Sequence, residues 1–170
     1  MDLPEIKKIL SNTPDLLKTL ILGNPELLYY KNEGPESWSP HEIIRHLNYC
    51  EEEDWVPRIK VILDGSRTFP PFDRFAHLQI DKDESMEGIL DKFQSLRNRN
   101  LEFLEGLELS QGELEKTGIH PEFGEVSLKK LIGAWAAHDL SHLGQLARVM
   151  GKQLKEDAGP WTKYMRIFNQ

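Results

Sequence analysis

The sequence predicts an all-α fold: a four-helix bundle with long connections between helices and a short C-terminal tail. Three observations predict it. Apolar residues recur at a helical period in four long segments. Capping and breaking residues bracket those segments. No stretch shows the apolar–polar alternation of a half-buried strand. Helices that each bury one stripe are satisfied by packing stripe on stripe.

The first segment, residues 3–22, carries Leu3, Ile6, Leu10, Leu16, Leu17, Leu20 and Ile21. Thr13-Pro14 interrupts it, with Thr13 placed to cap a restart and Pro14 to open it. Gly23-Asn24-Pro25 stops it. The second helix opens in "WSPHEIIRHL", where Ser39, Pro40 and Glu42 spell a capping box. It is expected to run to about Leu63, to end at Asp64-Gly65, and to kink or break at Pro57. A proline- and aromatic-containing loop, "GSRTFPPFDRFAH", follows. The third helix is expected over about 84–108, with Met86, Ile89, Leu90, Phe93, Leu96, Leu104 and Leu107 on one face. Residues 110–126 read as a loop. The fourth helix starts after Ser127 and runs to about Met150, with Gly151 as its stop. Its stripe is Leu128, Leu131, Trp135, His138, His142, Gln145 and Val149. The tail "GPWTKYM" has room for one short helix. Long links on either side of the third helix argue against a minimal up-down bundle and leave room for crossovers.

Residues 1–170 fit one domain with a sizeable core. The formal net charge of −7 repels phosphate backbones and gives no attraction to anionic lipid, so neither nucleic acid nor a membrane is an expected partner. No apolar run approaches the roughly 20 residues of a membrane span. The N-terminus "MDLPEIKKIL" lacks the basic start and apolar stretch of a secretory signal. Cys50 is the one cysteine, which excludes an intramolecular disulfide. A cytoplasmic setting is the expectation.

The chemistry concentrates in "AWAAHDLSHLGQL". His138 and His142 are four apart on the buried stripe, so they share one helix face. Two adjacent buried imidazoles need a common partner. A divalent metal supplies one, since H-x-x-x-H on a helix is a bidentate arrangement. Hydrogen bonds to a neighbouring helix are the plainer explanation. His46, on the second helix in line with Ile43 and Cys50, is the candidate third ligand, because ligands in bundles converge from facing helices. His41, His77 and His120 are expected on the solvated surface.

"WSPHEIIRHLNYCEEEDW", followed by "EFGEVSLKKLIGAWAAHDLSHLGQLARVM" and "GPWTKYM", resembles the DinB/YfiT superfamily of bacterial four-helix-bundle proteins. The resemblance runs from about Trp38 to the tail, and A-H-D-x-x-H-x-x-Q is its most specific part. It implies that His46, His138 and His142 hold a divalent ion, usually nickel or zinc, in a pocket at one end of the bundle. It further implies a small-molecule substrate. Some relatives are transferases that use a low-molecular-weight thiol, YfiT-like members are described as metal-dependent hydrolases, and homodimers are common.

Three protein ligands leave a metal open to water or substrate. Hydrolysis would use acidified water, and thiol transfer would use a stabilised thiolate. Sequence leaves both open. Gln145 and Asp139 are candidate partners of the histidines, although Asp139 points about 100° from His138, which suits a solvated or interhelical role equally. Glu42 belongs first to the capping box. Cys50 is a fourth ligand or, more simply, a small buried filler. Glu51–Asp54 reads as a solvated face. Trp135 is first a core residue, and with Trp161 is a candidate wall of the pocket mouth. "FPPF" is a lid over the site or a turn packed on the bundle end.

Overall fold

A computed structural model describes residues 1–80 and 82–169. Helix α1 spans Leu3–Leu22, α2 Pro40–Glu53, α3 Trp55–Asp64, α4 Met86–Gly106, α5 Gln111–Leu114, α6 Leu128–Lys152 and α7 Lys155–Ala158. A two-stranded antiparallel hairpin pairs β1 (Thr117–His120) with β2 (Gly124–Ser127), in register Thr117 opposite Ser127. Helix starts follow local chemistry. Asp2–Glu5, Ser39–Glu42 and Ser110–Glu113 form reciprocal capping boxes, and Ser85 and Ser127 cap α4 and α6. Among the described residues no helix is long and apolar enough to cross a membrane.

The four long elements form the bundle. Helices α1 and α2 each pack against both α4 and α6, which puts α1 and α2 on one diagonal. The apolar core lies in two halves. One holds Leu10, Trp55, Leu104 and Leu131, the other Leu17, Leu47, Leu90 and Leu146. The order of these residues along the chain sets the directions: α1 and α6 run from the first half to the second, and α2 and α4 run back. Residues 65–85 must therefore return the length of the bundle before α4 can start. That crossover passes over the face where α2 and α6 meet. Arg45 of α2 anchors it by donating to the carbonyls of His77 and Ile80. Phe69, at its start, donates its N–H to the Ile119 carbonyl of the hairpin at 3.0 Å.

A polar layer separates the two apolar halves. Arg97 of α4 is fully buried and donates to both carboxylate oxygens of Glu51 (3.1 and 2.8 Å) and of Asp139 (2.6 and 3.0 Å). Asn100 Nδ2 and Trp135 Nε1 also donate to Glu51, and Thr13 Oγ1 donates to Asp139 at 2.7 Å. Every carboxylate oxygen of the layer is thereby matched, as buried charge requires.

This layer explains one departure from sequence. Helix α1 does not restart at Thr13; it runs unbroken with Pro14 inside. A proline there leaves the Leu10 carbonyl without its helical donor. Arg97 Nη1 donates to that carbonyl at 2.8 Å instead. Pro57 acts as its ring predicts, but the break falls three residues earlier. Glu53 has no N–H to receive from residue 57, so α2 ends there and α3 begins beyond Asp54, with Pro57 in its first turn. The stretch 110–126 is not a plain loop but carries α5 and the hairpin. Gly151 does not stop α6, which continues to Lys152. It leaves room for the tail, since a Cβ there would lie 2.4 Å from Ile167 Cδ1. The tail itself holds several short helical turns rather than one helix.

Candidate metal centre

Helices α2 and α6 bring three imidazoles together. His46 Nε2 lies 3.3 Å from His138 Nε2, and His138 Nε2 lies 3.1 Å from His142 Nε2. The Nε2 atoms of the three sequence-predicted rings are thus brought together, with His138 Nε2 between the other two. Each is positioned by a neighbour. His142 Nδ1 donates to Gln145 Oε1 at 2.7 Å, which fixes its proton on Nδ1 and leaves Nε2 a lone pair. Trp38 packs on His46 with ring centroids 4.8 Å apart, and Trp55 meets His138 edge-on at 5.1 Å. Gln145 is the partner that the i+3 spacing suggests. Asp139 takes the interhelical role, in the Arg97 layer.

Electrostatics favour lone pairs over protons here. Burial pushes His46 down to about 2, with the neighbouring His142, His138 and His77 rings adding to the effect. Burial, then His142, lowers His138 to about 3. His142 is lowered by burial as well. Three neutral rings with converging nitrogens are a donor set for a borderline divalent ion. The spacing fits: two ligands about 2.0–2.1 Å from one ion at a roughly tetrahedral angle stand about 3.3 Å apart.

Other groups face the same point. Cys50 Sγ lies 3.5 Å from His46 Nε2, one helical turn further along α2. The ligand atoms of His46, Cys50 and His138 all lie within 4.8 Å of one another. A cavity of about 760 Å³ opens onto the cluster, walled by Trp38, Phe72, Arg74 and Phe75 and reaching Asp54. Phe72 and Phe75 come from the crossover, so "FPPF" contributes a wall: Phe69 is buried beside the hairpin and Phe72 faces the cavity. Trp135 is in the core, fully buried, and Trp161 is exposed and away from the cavity.

Several expectations of a solvated surface do not hold. His77 is 1% exposed, packed at 4.9 Å on His46 and 4.5 Å on Trp38, and burial lowers it to about 4. His41 is buried too, its Nε2 2.8 Å from the Glu84 carbonyl. His120 lies on the hairpin, where its Nδ1 accepts from the Glu122 and Phe123 N–H groups. Glu51 and Asp54 are buried at 2% and 5% exposure, the first in the Arg97 layer and the second beside Arg58 at 2.7 Å. Burial raises Asp54 to about 6, with Arg58 opposing. Glu42 is held in the capping box.

Fold and cluster together define a class: helical bundles that present converging histidines to an open cavity. The sequence pattern of the DinB superfamily matches residues 6–146, and the chain belongs to that superfamily. A protein of Oceanobacillus iheyensis named "Putative metal-dependent hydrolase" is 27% identical over 141 residues, covering 81% of this chain and 79% of that protein. A Bacillus cereus protein of the same name is 27% identical over 111 residues, 64% of this chain and 62% of its own length. Among solved structures, YfiT from Bacillus subtilis, described as "a probable metal-dependent hydrolase with an unusual four-helix bundle topology", superposes with a TM-score of 0.70 at 19% identity, over 87% of each chain. A DinB-like protein, YjoA, also of Bacillus subtilis, gives 0.56 at 15% identity, over 88% of this chain and 92% of its own. At these identities the structural likeness speaks for the fold.

Proposed function

We propose that the chain is a metal-dependent hydrolase of a small molecule, with His46, His138 and His142 as protein ligands of a zinc or nickel ion. The convergence of three neutral Nε2 atoms at 3.1 and 3.3 Å, at the floor of an open cavity, carries this reading. The names of the relatives support hydrolysis over transfer to a thiol. When bound, the ion supplies Lewis acidity, which polarises a substrate carbonyl and acidifies water.

The protein's residues supply the rest. Burial keeps the three rings neutral. Gln145 holds the His142 ring so that its Nε2 faces inward. Phe72, Phe75 and Trp38 line the approach and offer apolar surface to a substrate. Asp54, raised to about 6, is the cavity group suited to accept and return a proton near neutral pH on its carboxylate.

Elemental analysis of untagged protein tests the reading. About one zinc or nickel per chain is expected, and His46→Ala, His138→Ala and His142→Ala should each remove most of it. Metal-loaded protein should hydrolyse members of a panel of chromogenic esters, amides and lactones, and chelation should abolish this. Protein that takes up no metal on reconstitution, or binds it no better than the alanine variants, would overturn the proposal. Sulfur-to-metal charge transfer on adding small thiols, without hydrolysis of the panel, would replace hydrolysis by thiol transfer.

A further inference from the structure

The three-histidine reading leaves one donor at the site unused. Cys50 is 1% exposed and lines the same cavity as the rings. It follows His46 by one helical turn, so both side chains leave the same face of α2. Its sulfur makes a hydrogen-bond contact with His46 Nε2 at 3.5 Å and lies within 4.8 Å of a His138 ring nitrogen. Cys50 also belongs to the apolar core half with Leu10 and Trp55, so it sits at the border between that core and the cavity. His46, itself 5% exposed, has the Arg74 backbone as a partner of its ring and places its Nε2 3.3 and 3.5 Å from His138 Nε2 and Cys50 Sγ. Without metal the Cys50 thiol can donate to the His46 Nε2 lone pair, and a cation among these atoms would take the place of that proton.

The distances fit such a cation. A nitrogen about 2.0–2.1 Å and a sulfur about 2.3 Å from one ion, at a roughly tetrahedral angle, stand about 3.5 Å apart. Cys50 Sγ and His46 Nε2 show this separation. His46 and His138 belong to both groupings, the three rings and the His46–Cys50–His138 set. The His46–Cys50–His138 set lies within 4.8 Å throughout, and His142 joins it through His138 Nε2 at 3.1 Å.

Resting on the metal-centre reading above, we propose that Cys50 is a fourth protein ligand, giving the site three nitrogen donors and one sulfur donor, a set that selects thiophilic divalent ions. Four protein ligands close the site at rest, so water or substrate would enter by expansion to a fifth position or by displacing one ligand. Soft sulfur sets the preference: zinc, cobalt and nickel should bind, and magnesium and manganese, which favour oxygen ligands, should not compete. The other three candidate donors are imidazoles, so without Cys50 this discrimination would be weaker.

Cobalt(II) titration of the untagged, metal-free chain in thiol-free buffer tests the proposal. The chain contains one cysteine. A sulfur-to-cobalt charge-transfer band in the near ultraviolet, saturating at one cobalt per chain, is therefore expected from Cys50 alone. Cys50→Ser should lose the band, keep one cobalt, and bind zinc at least tenfold more weakly. Wild-type protein that binds one cobalt without the band would overturn the Cys50 assignment and leave the three-histidine site standing. Protein that binds no cobalt at stoichiometric concentration would overturn both. The wild-type spectrum decides between these outcomes even where the serine variant folds poorly.

Discussion

Arg97→Met is the most demanding perturbation the fold allows. Arg97 is 0% exposed and makes five hydrogen bonds, four to the carboxylates of Glu51 and Asp139 and one to the Leu10 carbonyl. Methionine keeps most of the stem but not the guanidinium that lies over the Phe93 and Trp135 rings at 4.9 and 5.2 Å. What goes is the counter-ion of two carboxylates whose side chains are each 1% exposed. Removing one partner from a buried ion pair costs about 3–5 kcal/mol. The orphaned Leu10 carbonyl, already deprived of a helical donor by Pro14, adds about 1–3 kcal/mol. A small domain has only about 5–15 kcal/mol in hand. Urea denaturation followed by circular dichroism should show a midpoint lower by more than about 1 M, given slopes of about 1–3 kcal/mol per M for small proteins. Replacing Arg97, Glu51 and Asp139 together by Met, Leu and Leu should recover part of the loss, because apolar replacement of a whole ionic cluster is often near neutral. Trp135 Nε1 would still lack its acceptor, and Asn100 and Thr13 would keep only the backbone carbonyls of residue 51 and Ile9, which limits the recovery. A single-variant loss below about 1 kcal/mol would refute the reasoning, since that is the worth of an exposed pair.

Acidification should destabilise the metal-free protein. His46, His138 and His77 are held at about 2, 3 and 4, against about 6.5 in an unfolded chain. Between those values the unfolded chain binds more protons, so stability is full above about pH 6.5 and falls below it, by up to about 1.4 kcal/mol per ring per pH unit. Asp54, raised to about 6, opposes this between about pH 6 and 4 and offsets about one ring. A melting temperature that does not change between about pH 7 and pH 5 would contradict this, and His77→Gln should flatten the slope. Gln145→Leu removes the acceptor of the His142 Nδ1 proton and should weaken zinc binding about 10–100-fold in a chelator competition, with the melting temperature of the metal-free protein little changed. Gly118→Ala places a Cβ 2.3 Å from Phe69 Cε1 and should cost about 1–3 kcal/mol by thermal melting. Tolerance of alanine there would mean that the hairpin and crossover are not packed as described.

Local chemistry was legible in the sequence, and chemistry completed by a distant residue was not. The Ser39–Glu42 box lies within four residues, so its letters suffice. His138, His142 and Gln145 are related by helical period, and their shared face follows from spacing alone. Pro14 obeyed the local rule for a break only until Arg97, far along the chain, supplied the missing donor. Glu51 was hidden by its acidic neighbours, yet its phase was informative: it follows Leu47 by four residues, on the buried row. Arg97 and Asn100 likewise interrupt the row of Ile89, Phe93 and Leu104 with polar groups. A polar residue in phase with a buried stripe was the signal, and its partners on other helices were the missing part. The hairpin has four-residue strands and no Asn-Gly or Asp-Gly turn, so neither alternation nor turn chemistry announced it. His77 lies on the crossover, where no period relates a residue to the core.

The polar layer and the candidate metal centre are joined through the chain itself. On α2, Cys50 faces the cavity and Glu51 the layer; on α6, His138 faces the cavity and Asp139 the layer. Adjacent helical residues point about 100° apart, so two neighbouring positions on one helix serve both groups. Arg97 binds Glu51 and Asp139 at once, tying α2 to α6 within one residue of Cys50 on one helix and of His138 on the other. A ligand cluster drawn from two helices keeps its spacing only if those helices cannot slide, because a ligand misplaced by about 1 Å is already too loose to bind well. Hydrophobic packing alone tolerates such slides better than a fork of directed, buried hydrogen bonds does. The Arg97→Met/Glu51→Leu/Asp139→Leu protein separates these two contributions. With part of its stability restored and its fork gone, it should bind zinc more weakly than wild type under conditions where both are folded. Equal affinity would show that the layer serves stability alone and that the spacing of the rings is set by the apolar packing around them.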